Sequence, residues 1–344
     1  MHRRDFLSAA AAVASASTLG ISGTARAEGG PAKTVIRMAT LAPKGSTWMR
    51  VFDAWNNSLK KKTNGELELQ FYSGGAAGDE RDMVRKMKAG QIDAAAITTV
   101  GLGQLGATAR SAMVLQAPGV CYSYKRIDAV RGKHGPEFEK MFEADGFKLL
   151  GWGDAGQGRI FSSVRPISKP DDMKGLKMWA WGEDPTWRSV LSAVGGVTPV
   201  GVGLPEVYPS LRTKQIDAFP GTSIAAVVFQ WFTQAQYVTQ EPRGIVIGAM
   251  VVKKDKFAAL PAPQQQALLE TGRDAQSALT IAIRKDDDKA FETIVGKGVK
   301  AVSQAENMKA WEDVLRKARQ SLVASGLYTA DLLKRIEDTA VAAG

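Results

Sequence analysis

Apolar positions in the first third of the chain switch repeatedly between a period of two and a period near 3.6. The segment "TVIRMATLAP" predicts a strand that turns at Pro43. In "GSTWMRVFDAWNNSLKKKTNG", Trp48, Phe52, Trp55 and Leu59 recur at helical spacing, with Ser46 or Thr47 able to cap the start and Asn64-Gly65 to stop it. "ELELQFY" alternates Leu67, Leu69 and Phe71 as a strand does, and the glycine loop "SGGAAG" follows. "DERDMVRKMKAG" predicts a helix capped by Asp79 and ended at Gly90, and "QIDAAAITT" a further strand. A β-α-β-α-β order of this kind predicts a mainly parallel sheet with helices on its faces.

A second stretch repeats the plan. "FKLLGWGD" and "GRIFSS" predict two strands, "PISKPDDMKG" a polar connector and "LKMWAW" a strand. Asp184 can cap the next helix, with Pro185 at its first position. "LPEVYPSLRTK" reads as a short helix and "QIDAFP" as a strand. Gln-Ile-Asp-Ala occurs at Gln91–Ala94 and again at Gln215–Ala218, each time after a basic helix end. Two α/β lobes with similar local plans are expected. "GIVIGAMVVKK" reads as an apolar strand returning to the first sheet, and helical patterning dominates from Pro263. A helix of roughly 30 residues would span about 45 Å and brace both lobes. The expected division is residues 34–152 plus about 242–262 as lobe I, 153–241 as lobe II, and 263–344 as the bracing and C-terminal helices.

The first 27 residues read differently. "MHRRDFL" is basic, the weakly apolar "LSAAAAVASASTLGI" follows, and Ala25-Arg26-Ala27 has the form of a cleavage site. The paired Arg3 and Arg4 with Phe6 and Leu7 point to a twin-arginine export signal. Cys121 is the only cysteine, so no disulfide can form within the chain, and no lipid anchor is expected after the leader. Later apolar runs are broken by charges. A soluble periplasmic protein is therefore expected. The formal net charge is +10, but lysines and arginines are scattered, which suits solvated helix faces better than a nucleic-acid stripe.

Catalytic chemistry is sparse. Outside the leader the only histidine is His134, in the glycine and proline loop expected for "GKHGPEF" at the surface. No H-E-x-x-H, C-x-x-C or Walker sequence occurs. Asp286, Asp287 and Asp288 fall about 100° apart on a helix, cannot jointly cage a metal and read as a solvated face. "GQGRIF" and "GVGLPEV" are only partial nucleotide loops. An exported two-lobed chain of this kind reads as a binding protein, with no enzymatic role, cofactor or metal expected.

Three segments in order carry a family resemblance: "KKTNGELELQFYSGGAAGDERDMVRKMKAGQIDAA", "GRIFSSVRPISKPDDMKGLKM" and "PEVYPSLRTKQIDAF". From about Thr34 to Pro261 the chain resembles the solute receptors of tripartite ATP-independent periplasmic (TRAP) transporters, of DctP type. The resemblance implies two α/β lobes around a cleft, hinge closure on a solute, and delivery to a membrane permease.

The sequence departs from that family at one telling place. The strand after Gly-Leu-Lys, where relatives carry a carboxylate-clamping arginine, has Trp179 in "LKMWAW". One indole N–H cannot replace a bidentate guanidinium. The usual polar contact after the second Asp-containing strand falls near Gly221, and Thr98 is neutral where some sugar-acid receptors carry a glutamate. Arg159 matches the family's other arginine. Two roles stay open for it: contact with an anionic ligand group, or internal pairing with Asp154, Glu183 or Asp184. Strand alternation puts Leu176, Met178 and Ala180 on one face and Lys177, Trp179 and Trp181 on the other, which would face the cleft. Trp48, Trp152, Leu204 and Phe219 complete the candidate lining; Trp55 and Trp231 read as core, and Tyr208 as packed within its helix. The expected ligand is an apolar or amphiphilic small molecule. The arginine-less strand is also similar to a subset of TRAP receptors with a tetratricopeptide-repeat partner. An organic acid held by Arg159 alone, and a periplasmic sensor or scaffold, are the other readings.

Overall fold

The computed structural model describes residues 33–182 and 184–344; the expected export leader, with Arg3 and Arg4, lies outside them. Ten strands form one sheet: β1 (Thr34–Thr40), β2 (Leu67–Tyr72), β3 (Ala94–Thr98), β4 (Phe147–Ser162), β5 (Lys177–Trp179), β6 (Thr198–Val200), β7 (Ala218–Thr222), β8 (Tyr237–Thr239), β9 (Gly244–Lys253) and β10 (Lys300–Val302). The order is β2-β1-β3-β9-β4-β7-β5-β6, with β8 on β4 and β10 on β8. At one end β1 runs parallel to β2 and β3, and at the other β5 runs parallel to β6 and β7. Antiparallel β9 and β4 join the two ends. The fold is thus the mixed α/β, two-lobed type, with the return strand and the short helices where the hydrophobic pattern predicts them.

Sequence and structure part company in the middle of β4. Two strands were expected; one strand of 16 residues runs through "GDAGQG". The ladder to β9 continues because register shifts at Leu149/Gly151 and Asp154/Gly156 absorb the irregularity. Gly156 takes φ +113°, a backbone conformation that side chains resist.

Helix Ala262–Gly296 has 35 residues, about 50 Å of length, and packs on both ends of the sheet. Leu279 and Ile283 join the core beneath β1 and β9, and Ile294 joins the core around Phe161 and Phe219. Of its three consecutive acids, expected as a solvated face, only Asp288 is exposed; Asp286 is half-buried and Asp287 buried. Asp286 accepts Thr47 Oγ1 at 2.6 Å, and Asp288 accepts Gln157 Nε2 at 3.1 Å. Asp287, 1% exposed, accepts the backbone N–H of Gln157 and of Ile224, each at 2.9 Å. Helical geometry does spread the three carboxylates: Asp286 meets the first helix, Asp287 both β4 and the Ile224 segment, and Asp288 the side chain of Gln157 at the surface.

His134 is likewise misplaced by the sequence. It lies inside helix Tyr124–Ala144, which carries Pro136 in its interior, and it is buried with Nε2 2.9 Å from Thr339 Oγ1. Packing on the last helix, Ala330–Ala343, holds this segment helical through a doubly bonded Arg335–Glu137 pair. Among the described residues, no helix is long and apolar enough to cross a membrane, and no cluster of metal-binding side chains occurs.

Candidate functional site

A cavity of about 310 Å³ lies along the middle of the sheet, walled from both ends. The wall is built from helix starts and strand ends. Trp48 leaves the first turn of helix Thr47–Lys62, which Ser46 caps. Trp187 leaves the first turn of helix Pro185–Val194, where Asp184 Oδ1 accepts the N–H groups of Thr186 at 2.8 Å and Trp187 at 3.3 Å. On β5, Met178 points into the core and Trp179, 4% exposed, to the cavity side, as the alternation predicts.

The aromatic rings are interlocked. Trp179 lies 5.8 Å from Trp181 and 5.3 Å edge-on from Trp231, which in turn stacks on Phe229 at 5.2 Å. Their polar atoms are already spent. Trp48 Nε1 donates to the Asp154 carbonyl at 3.2 Å, Trp179 Nε1 to the Val202 carbonyl at 3.0 Å, and Trp181 Nε1 to Asp79 Oδ2 at 2.8 Å. Trp187 Nε1 donates to the Trp179 carbonyl at 3.1 Å, and Trp311 Nε1 to the Ser168 carbonyl at 2.9 Å. These five indoles can offer a ligand carbon surface only.

Of the residues singled out in the sequence, Trp48, Thr98, Arg159, Trp179, Trp181, Leu204 and Gly221 stand in the wall. Trp152 and Phe219 do not. Trp152 points from β4 to the opposite side, between Phe138 at 6.3 Å and Phe142 at 5.8 Å. Phe219 stacks on Phe161 at 4.9 Å beneath Trp231, as second-layer core. Trp231, read from its apolar neighbours as core, is both buried and part of the wall. Trp187, Trp311, Glu80 and Arg243 also line the cavity and were not found; no local pattern distinguishes them from ordinary helix and turn residues.

The polar groups of the wall are mostly engaged. Glu80 Oε1 accepts Thr98 N, and its Oε2 accepts both Thr98 Oγ1 and Gly101 N, all at 2.8 Å; burial pushes this carboxyl up to about 7. Asp154 is bound by Arg131 at 2.6 Å and Arg284 at 2.7 Å. Arg159 therefore pairs with neither Asp154 nor the helix-capping Asp184, and Glu183 lies outside the described residues. Arg159 Nη1 instead donates to the carbonyls of Thr239, at 3.2 Å, and Gln240, and its guanidinium covers the Phe291 ring at 4.0 Å. Opposite it on β7 is Gly221, where a side chain would turn towards Phe219 and Trp231.

A sheet shared by two α/β ends, with a walled cavity where they meet, defines a small-molecule-binding protein. Residues 38–325 match the family model DctP, bacterial extracellular solute-binding protein family 7, and the chain belongs to that family of TRAP solute receptors, which are binding proteins and not enzymes. It is 24% identical over 289 residues to the 2,3-diketo-L-gulonate-binding periplasmic protein YiaO of Escherichia coli, covering 83% of this chain and 85% of that one. Among solved structures it resembles the sugar acid binding protein DctPAm of Advenella mimigardefordensis in complex with galactonate, with TM-score 0.84 at 18% identity, covering 91% of this chain and 99% of that one. A TRAP periplasmic solute binding protein of Roseobacter denitrificans with bound β-D-glucuronate gives TM-score 0.81 at 18% identity, over 89% and 99% of the two chains.

Proposed function

We propose that this receptor captures an apolar or amphiphilic solute in the periplasm and delivers it to a TRAP membrane permease. The observation that carries the reading is the commitment of five indole N–H groups to the protein, with Trp179 in the place the family gives to an arginine. Burying about 200 Å² of ligand carbon at about 25 cal/mol per Å² contributes roughly 5 kcal/mol as an upper bound. A polyhydroxylated acid fits less well. Thr98, Glu80, Asp154 and Asp184 are already bonded within the protein, and each ligand hydroxyl left unmet costs roughly 1–3 kcal/mol. Export by the twin-arginine route and a tetratricopeptide-repeat partner belong to the same reading; they rest on Arg3-Arg4 and on the arginine-less strand.

Native mass spectrometry of protein purified without refolding tests the ligand. The expected result is a co-purified apolar or amphiphilic species. The second reading, an organic acid held by Arg159, is favoured by the galactonate and glucuronate of the solved relatives. Thermal stabilisation by small sugar acids or dicarboxylates, lost in Arg159→Ala, would establish it and overturn the first.

A further inference from the structure

Two guanidinium groups stand in the cavity wall, Arg159 and Arg243, and neither forms an ion pair among the described residues. Buried cations without a partner are costly, so each calls for an explanation. Arg159 is partly provided for: two carbonyls accept from Nη1, Phe291 lies beneath it, and the carboxylates of Asp287 and Asp288 are near enough to favour its charge, although its Nε is buried with no partner.

Arg243 is less well provided. Its Nε donates to Gln304 Oε1 at 2.8 Å, and Gln304 is fully buried. Its Nη1 has only the thioether of Met308, at 3.1 Å, and Nη2 is buried with no partner. A thioether is a weak acceptor, and Met308 is half exposed and free to swing aside. The guanidinium sits 5.5 Å from the Trp311 ring, itself in the cavity wall. The acids nearest to Arg243 are occupied: Glu241 accepts Ser303 Oγ and Gln304 N, and Glu312 pairs with Arg319. Beside it, a side chain added to Gly244 would meet open space.

We infer that Arg243 is the anion-binding end of the cavity, where a single carboxylate terminating an apolar ligand displaces the Met308 thioether and meets Nη1 and Nη2 as a fork. The ligand's body then runs from Trp311 along Trp187 towards Trp179. This inference rests on the amphiphile reading and assigns the acid to a different arginine from the one the family resemblance suggests. Both arginines have carboxylates nearby and one unpartnered buried nitrogen; what distinguishes Arg243 is that its Nη1 meets only a thioether and its Nη2 nothing, whereas Arg159 Nη1 already holds two carbonyls.

The test is a titration of intrinsic tryptophan fluorescence with decanoate and with decanol, the same chain with and without the charge. The wild-type protein is expected to prefer decanoate by roughly tenfold or more, the range of a charge-assisted hydrogen bond. In Arg243→Gln the two probes are expected to bind alike, with decanol affinity unchanged, while Arg159→Gln keeps the preference. Arg243→Lys retains charge without the fork and is expected to keep only part of it, which covers the case of a poorly folded glutamine variant. A preference that survives in both Arg243 variants, or that disappears only in Arg159→Gln, overturns the assignment. Binding of glucuronate with no response to either decyl probe overturns the amphiphile reading itself.

Discussion

Asp79 holds the two ends of the sheet together, and the strength of that link can be measured. Its Oδ1 caps helix Glu80–Lys88 by accepting Glu80 N at 2.8 Å, in a capping box with Asp82. Its Oδ2 reaches across to Trp181 Nε1 at 2.8 Å and Leu204 N at 3.4 Å. Asp79→Ser keeps a capping hydroxyl but is too short to reach the indole. Trp181→Phe keeps a ring and removes the N–H. A hydrogen bond to a charged group contributes roughly 1.5–3 kcal/mol; partial exposure at this edge brings the expected coupling to about 1–2 kcal/mol. Each single variant is expected to lose about 2 kcal/mol in urea unfolding, and the double variant clearly less than their sum. Additivity of the two losses within about 0.5 kcal/mol would show that the contact carries no coupling and refute the reasoning.

Three further outcomes follow from burial and backbone geometry. Glu80 has its carboxyl pushed up from 4.5 to about 7, so the folded chain holds a proton that the unfolded chain releases between those values. That contribution is complete below pH 4.5 and is lost as pH rises through 7, about 3 kcal/mol in all; the stability of the wild type relative to Glu80→Gln is expected to fall between pH 5 and 8, and a flat difference would contradict it. Gly156→Ala would place a methyl 2.6 Å from Asp287 Oδ1 at φ +113°, so a loss of about 2 kcal/mol or more in chemical denaturation is expected, and a neutral result would mean that the backbone relaxes freely there. Cys121 is buried and its thiol pushed up to about 12, so a colourless disulfide reagent that releases a chromophore is expected to react only once urea unfolds the chain; rapid native reaction would contradict the packing.

Local signals were legible where one residue decides the outcome. Ser46, Asp79 and Asp184 cap the helices that their positions predict, and alternation on β5 separates Met178 from Trp179. Features decided by distant neighbours were not. The glycines of β4 look like a break, yet β9 alongside keeps the strand continuous. Gly132, Gly135 and Pro136 look like a loop, yet the last helix holds them helical. The candidate site shows the same division. A stretch rich in tryptophan announces an aromatic wall, but Trp152 and Trp231 exchange expected places because the side of an element that faces a cavity is set by what packs on its other side. Arg243 follows a proline in an unremarkable turn and gains its interest only from Gln304, Met308 and Trp311, all more than sixty residues away.

Strand β4 gives its first twelve residues to β9 and its last five to β7, sharing Gly158 between them. The two ends of the molecule therefore have a spine in common, not a linker. Neither end can melt while the other keeps its hydrogen-bonded edge, and calorimetry will record one endotherm where two tethered domains would give two.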